Sequence, residues 1–298
     1  MAILINNTTN CLIQGITGLE GQKVSAWMRA SGTKVVAGVT PGKGGQFVDG
    51  VPVFNSVAEA VTAFPTINLT TIYAPARFVR SAAQEAIEAK ISIVHVIAEN
   101  VPTRDTAELI ALARQHHVTL IGPSSIGLIS PGKAKVGSIG GETNNQFIGG
   151  PIGLISKSGG MCSEVSLLLT RNGIGQSTVV GIGGDRFVGT TFADLLPLFE
   201  QDKETKGVVL IGELGGTYEE DAAAILEKKQ FTKPLIALIT GLFAETLPQG
   251  VSFGHAGAIV DKYIGTRAGK IAALTKVGAI VVATPDELLE VVLASLRQ

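Results

Sequence analysis

Short runs of Val, Ile and Leu recur along the chain, each followed by a stretch in which apolar residues return every three or four positions. Cys11–Ile13, Lys34–Val39, Leu69–Tyr73 and Ser92–Ile97 read as strands, and Gly21–Ala30, Val57–Ala63, Val79–Ala89 and Thr103–Gln115 read as helices. This alternation predicts βαβ units and a parallel sheet. A second series repeats the pattern. Ile152–Ile155, Ser177–Gly181, Gly207–Ile211, Leu235–Thr240 and Ala279–Val282 read as strands, with helices around Val165–Arg171, Phe192–Glu200, Glu219–Lys229 and Thr266–Val277. Between the series, Ser130–Pro151 is rich in Gly, Pro, Lys and Asn and weakly periodic. A domain junction is expected there or at the strand Thr119–Ile121 just before it, giving domains 1–125 and 126–298.

Composition fits this α/β reading. The chain has 298 residues, 45% of them hydrophobic and 16% charged, with 37 glycines for tight strand-to-helix turns. A net charge of −1, with no Lys/Arg run interleaved with aromatics, speaks against nucleic acid and anionic membranes as partners. The two cysteines, Cys11 and Cys162, are too far apart to form a secreted disulfide framework, which points to a reducing, cytoplasmic setting. No signal-peptide pattern opens the sequence, and no apolar stretch reaches the roughly 18 residues that would span a bilayer.

Candidate chemistry sits where strands end. The first strand runs into Gly15-Ile16-Thr17-Gly18-Leu19-Glu20-Gly21, so a helix N-terminus could face an anion, though such loops also occur as plain tight turns. An NAD site would place an acidic residue about 20 residues further on. Here the second strand ends Thr40-Pro41-Gly42-Lys43-Gly44-Gly45, and Lys43 is either a phosphate partner, favouring CoA over NAD, or a solvated loop lysine. No Gly-x-x-x-x-Gly-Lys-Ser/Thr stretch is present, so a P-loop is not the source of any ATP binding.

In the second series, Ser156-Lys157-Ser158-Gly159-Gly160-Met161 joins a strand to a helix and reads as a plain turn or an anion cradle. Gly181-Ile182-Gly183-Gly184-Asp185 and Gly212-Glu213-Leu214-Gly215-Gly216 end two further strands, at the carboxyl edge where open α/β sheets bind ligands. Glu213 is a solvent-facing acid or a carboxylate that orients an imidazole. His255, in Ser252-Phe253-Gly254-His255-Ala256-Gly257-Ala258, lies among small residues that let a backbone swing. His95, His116 and His117 show no metal-ligand spacing and read as structural. Cys11 reads as core. Cys162 starts a helix, where the dipole could acidify it somewhat.

Taken together, the segments 14–18, 38–45, 181–185, 212–216 and 254–259 resemble the α subunit of the succinyl-CoA synthetase family over almost the whole chain. The resemblance implies a Rossmann-like CoA-binding domain followed by a flavodoxin-like domain. It also implies a partner β subunit of ATP-grasp fold that binds ATP or GTP with magnesium, in an αβ or (αβ)2 assembly. By that resemblance Thr17, Gly18, Leu19, Glu20, Lys43, Ile97, Ala98 and Glu99 contact CoA. His255 is phosphorylated, Glu213 orients it, and Ser158, Gly159 and Gly160 receive the phosphate at a helix N-terminus. No metal is expected on this chain itself.

One departure bears on the substrate. Succinate enzymes of the family typically read Ser-x-Ser-Gly-Thr-x-x-Tyr-Glu, whereas this chain reads Ser-Lys-Ser-Gly-Gly-Met-Cys-Ser-Glu from Ser156 to Glu164, with Ser163 in place of the tyrosine. That turn, the Gly184-Asp185-Arg186-Phe187 run and Phe253-Gly254-His255 look more like ATP-citrate lyase and citryl-CoA synthetase. The sequence stops at Gln298 without a citrate-synthase-like module, so the expectation is a ligase rather than a lyase. Its substrate would be a di- or tricarboxylate, with citrate, malate or another substituted acid ahead of succinate. A non-catalytic CoA-binding regulatory module would have no need of His255 and Glu213 together, and Lys43 argues against an NAD-dependent dehydrogenase.

Overall fold

The computed structural model describes residues 2–143, 145–242, 257 and 265–297. Two compact units emerge, one of residues 4–144 with 187–190, the other of 1–3, 145–186 and 191–298.

In chain order the first unit contains β1 (Asn10–Gln14), α1 (Leu19–Ala30), β2 (Lys34–Val39), β3 (Phe47–Val48), β4 (Val51–Phe54), α2 (Val57–Ala63) and β5 (Leu69–Ile72). It continues with α3 (Ala76–Glu88), β6 (Ile93–Val96), α4 (Thr103–Gln115), β7 (Thr119–Ile121), β8 (Gly127–Ser130) and β9 (Ala134–Gly137). The sheet runs β3-β4-β2-β1-β5-β6-β7, parallel throughout except for the short β3–β4 pair at its edge. Without β3 this is the Rossmann order, and it reverses direction between β1 and β5. Every residue of β5 and β6 is buried, as expected of parallel strands with helices on both faces. On α3, Val79, Ala83, Ala86 and Ile87 recur at helical spacing and face a core that includes Leu12, Ile72 and Val94.

The second unit contains β10 (Gly149–Ser156), α5 (Gly159–Arg171), β11 (Gln176–Gly181), α6 (Phe192–Gln201), β12 (Gly207–Glu213) and α7 (Tyr218–Glu227). After it come β13 (Leu235–Thr240), α8 (Arg267–Lys276), β14 (Ile280–Val282) and α9 (Pro285–Ser295). Its parallel strands lie in the order β14-β13-β12-β10-β11. This is the flavodoxin order, with its reversal at β10 and β12. The all-buried strands β11 and β12 match the unbroken apolar runs of the sequence.

The segment expected to be an irregular junction differs. Residues 127–137 form the antiparallel β8–β9 hairpin rather than an irregular segment. Thr33 Oγ1 donates to Lys135 O at 2.7 Å and accepts from Lys135 N at 2.8 Å, while Tyr73 OH meets Ser138 Oγ at 2.7 Å. The buried Lys135 ammonium sits 5.8 Å from the Trp27 ring centroid. Its positive-φ glycines, Gly127 and Gly137, allow the close pairing, because a Cβ on Gly127 would lie 1.9 Å from Val136 O. Glycine punctuation there marks strand contact rather than a linker.

Candidate functional site

In the first unit the expected CoA residues lie at the carboxyl ends of the strands. Gly15, with φ +81°, leads out of β1 so close to β5 that a Cβ would fall 2.2 Å from Tyr73 O. Gly21 is equally constrained, a Cβ there reaching within 2.3 Å of Gly15 O. These two glycines serve the turn. Gly18 is the N-cap of α1 and provides no side-chain cap, so the first-turn N–H groups face outward without a partner from their own cap. Thr17 Oγ1 bonds Thr40 Oγ1 at 3.2 Å, which ties the loop after β1 to the end of β2. Gly18, Leu19 and Glu20 are exposed, and Glu20 pairs with Lys23 at 2.9 Å.

Lys43 is exposed on the turn after β2, where sequence reasoning missed its support. Asn55 Oδ1 accepts from both Gly42 N and Gly44 N at 3.0 Å, fixing the turn that carries Lys43. The sequence signal was an asparagine just past an apolar run, a frequent turn stabiliser. Ile97 and Ala98 are half-buried and Glu99 is exposed just after β6, and Ala98 O accepts from Ser124 N at 2.9 Å. The loops carrying Thr17–Glu20, Lys43 and Ile97–Glu99 therefore all leave the same edge of one sheet.

In the second unit, β10 ends at Ser156 and α5 begins at Gly159. Ser158 caps α5, its Oγ accepting from Met161 N at 3.4 Å, and Ser156 Oγ accepts from Ser158 N at 3.1 Å. The helix thus opens on two glycines, whose N–H groups belong to the set that a helix cannot satisfy internally. A Cβ on Gly160 would meet nothing within 4 Å. Ser163, half-buried, stands one turn further along α5.

Glu213 ends β12 beside this turn. Lys157 Nζ lies 3.2 Å from Glu213 Oε1, with only 2% and 10% of the two side chains exposed. Glu213 N donates to Glu219 Oε1 at 3.1 Å, and the fully buried Glu219 is paired with the fully buried Lys270. Lys270 also reaches Glu220 and Gly216 O, each at 3.0 Å. Glu213 is therefore no solvent-facing loop acid. Lys157, Glu219 and Lys270 escaped sequence reasoning, because a single Lys or Glu carries no mark of burial.

His255 lies outside the described residues. Gly257, two positions on, is described, and Gly257 N donates to Gly184 O at 3.0 Å. A Cβ on Gly257 would approach Asp185 O to 2.8 Å. Gly265 O accepts from Gly215 N at 2.7 Å, next to the Glu213 strand end. Gly257 and Gly265, both after His255 in the chain, thus rest on the glycine edges that follow β11 and β12.

The remaining histidine and cysteine readings divide. His95 is buried between Thr71 Oγ1, 2.7 Å from Nδ1, and Ser125 O, 3.1 Å from Nε2, and burial lowers its pKa to about 4. It is a neutral structural histidine. Cys162 is not acidified: burial raises its pKa to about 12 and overrides the helix dipole. Cys11 is core, its thiol likewise pushed up by burial. Among the described residues no cluster of His, Cys, Asp and Glu could hold a metal, and no helix is long and apolar enough to cross a membrane.

A Rossmann-order unit and a flavodoxin-order unit, each with glycine-lined strand ends, define the class of NDP-forming acid–CoA ligases, and comparison with known proteins agrees. Residues 6–100 match the family model described as CoA binding domain, and residues 155–280 the one described as CoA-ligase. The chain is 45% identical to succinate–CoA ligase [ADP-forming] subunit alpha 2 of Archaeoglobus fulgidus, over 98% of this chain and 99% of that protein. It is 40% identical to the ADP-forming sulfoacetate-CoA ligase subunit SauD of Bilophila wadsworthia, over 97% of each. The ATP citrate lyase of Methanothrix soehngenii, solved with citrate and coenzyme A, superposes with a TM-score of 0.90 at 30% identity. That match covers 99% of this chain and 50% of the lyase chain, so this chain spans half its length. The chain belongs to the succinyl-CoA synthetase (succinate–CoA ligase) α-subunit family.

Proposed function

We propose that this chain is the α subunit that carries the phosphoryl group in an acid–CoA ligase, with His255 as the phosphorylated residue and Glu213 as the carboxylate that orients it. The observation that carries this is the placement of Glu213. It stands at the β10/β12 reversal of a flavodoxin-order sheet, beside the glycines that open α5, and Gly257 and Gly265, which follow His255 in the chain, touch the neighbouring strand ends. In such a site His255 attacks the γ-phosphorus of the nucleotide and NDP leaves. Phosphohistidine then gives its phosphoryl group to a substrate carboxylate, and the CoA thiol displaces phosphate from the acyl phosphate to form the thioester. A free carboxylate is a poor acyl donor, and a phosphate leaving group removes that barrier in separate steps. The N–H groups of Gly159 and Gly160, with the Ser158 cap, offer the helix N-terminus that receives the phosphate. Thr17–Glu20, Lys43 and Ile97–Glu99 hold CoA in the first unit.

The nucleotide, ATP or GTP with magnesium, belongs on an ATP-grasp β subunit in an αβ or (αβ)2 assembly, in keeping with relatives named as α subunits. The buried, free cysteines suit the reducing cytoplasm. For the acid, the open space at Gly160 and the short Ser163 favour a substituted di- or tricarboxylate such as citrate or malate over succinate. The test uses the complex with its β partner. Incubation with γ-labelled ATP is expected to give acid-labile, base-stable label that His255→Ala abolishes, and label persisting in that variant would remove the assignment. A panel of succinate, malate, citrate and sulfoacetate then ranks the acids, and a clear preference for succinate would overturn the substrate reading.

A further inference from the structure

Lys157 lies between an apolar strand and a helix start, yet its ammonium is almost wholly withdrawn from water. We infer that Lys157 is a positioning residue for phosphoryl transfer, acting through Glu213. The inference rests on the assignment of Glu213 as the carboxylate that orients His255.

The geometry is specific. Lys157 Nζ meets Glu213 Oε1 at 3.2 Å and lies 5.6 Å from the centroid of the Tyr218 ring. Tyr218, at the start of α7, donates its OH to Arg186 O at 3.4 Å, which holds the ring against the end of the β11 edge. Among the described residues, charged groups reach the Glu213 strand end from β10, α7 and α8. Lys157 extends from the end of β10, Glu219 and Glu220 stand on α7, and Lys270 comes from α8. Lys270 is engaged by Glu219, Glu220 and Gly216 O, whereas Glu219 meets Glu213 through the backbone N–H of Glu213 rather than its carboxylate. Lys157 thus places a counter-charge on the Glu213 side chain.

A buried ion pair returns little stability, since desolvation of both charges consumes most of the Coulomb gain. An apolar pair would serve the fold as well. What the ammonium supplies here is a positioned carboxylate at the sheet edge where the glycine turn of α5 begins. The Tyr218 ring, 5.6 Å away at its centroid, adds a second favourable contact for the ammonium.

The test is a double-mutant cycle on the complex with its β partner, reading the initial rate of histidine phosphorylation from γ-labelled ATP. E213Q is expected to slow phosphorylation by about 100-fold or more. K157M, which removes the ammonium 3.2 Å from the buried carboxylate, is expected to slow it by about 10- to 100-fold, and K157R to restore most of the rate. In the E213Q background K157M is expected to add no further loss, because Lys157 acts through the missing carboxylate. CoA affinity is expected to stay at the wild-type value in every variant. If K157M alone fails to fold, the neutral pair E213Q/K157M set against E213Q carries the same comparison. A double variant about tenfold slower than E213Q overturns the role of Lys157, whereas wild-type phosphorylation in E213Q overturns the reading of Glu213 on which it rests.

Discussion

Replacing Gly257 by alanine tests whether the segment bearing His255 works by docking on the strand-end glycines. Gly257 N donates to Gly184 O at 3.0 Å, and an added Cβ would come within 2.8 Å of Asp185 O and 3.1 Å of Gly184 O. Real Cβ atoms do not approach backbone oxygen that closely, so the alanine variant has to lift off or displace the β11 edge. Losing the hydrogen bond removes about 1 kcal/mol, and crowding a packed contact adds about 1–3 kcal/mol. The sum, about 2–4 kcal/mol, lowers the docking equilibrium by about 30- to 700-fold. The remaining fold is left alone, because the contact is local to one loop and one strand end. G257A is therefore expected to retain its melting temperature and its affinity for CoA while losing phosphohistidine formation by one to nearly three orders of magnitude. Rapid-quench labelling with γ-labelled ATP in the complex with its β partner measures that loss. Wild-type phosphorylation kinetics in G257A would refute docking at Gly184 as a step of the cycle.

Three further expectations follow from the described contacts. K270M strands the fully buried Glu219 and is expected to cost about 3–5 kcal/mol in urea unfolding, with part of it recovered in E219Q/K270M; an unchanged midpoint would show that the buried pair is not as tight as the geometry implies. N55A frees the turn that carries Lys43 from two hydrogen bonds at 3.0 Å, and calorimetry is expected to show about tenfold weaker CoA binding, from about 1.4 kcal/mol of lost ordering. For His95, burial holds the folded-state pKa near 4, below the ordinary 6.5, so the unfolded chain binds the extra proton first. Stability is then complete above about pH 6.5 and falls as pH drops toward 4, by about 3 kcal/mol in all, and H95Q is expected to flatten that part of the denaturation profile.

The parallel architecture was legible because glycine and apolar runs are themselves physical constraints. Strands such as β5 and β12, buried at every residue, leave an unbroken apolar run, and the turns that follow them need glycines where backbones nearly touch, as Gly15 does at Tyr73 O. The same reasoning does not reach the hairpin strand at residues 134–137. Gly137, within the Gly-rich run from Ser130, reads as junction composition, but it and Gly127 permit the close pairing of a hairpin, and that distinction depends on a partner strand the local sequence does not name. Elements too short for periodicity, β3 and β4 among them, were invisible for the same reason.

Charge was the least legible property of the candidate site. Glu213 was singled out by its place after an apolar strand, yet nothing in the sequence tells whether such an acid meets water or a lysine. Lys157 and Lys270 have the composition of surface residues, and only the fold withdraws both from solvent, one onto the carboxylate of Glu213 and the other onto Glu219 behind its backbone. Cys162 shows the converse. Its position at a helix start argued for a lowered pKa, but full burial on α5 outweighs a dipole whose effect is modest and confined to the first turn. A helix N-terminus activates what it faces. In this fold α5 opens on Gly159 and Gly160, and the thiol one turn further along is buried in the core. On the proposed reading, consecutive residues divide two tasks at the β10 end: Ser158 and the glycines after it open the helix that would meet the anion, while Lys157 pairs with the carboxylate of Glu213.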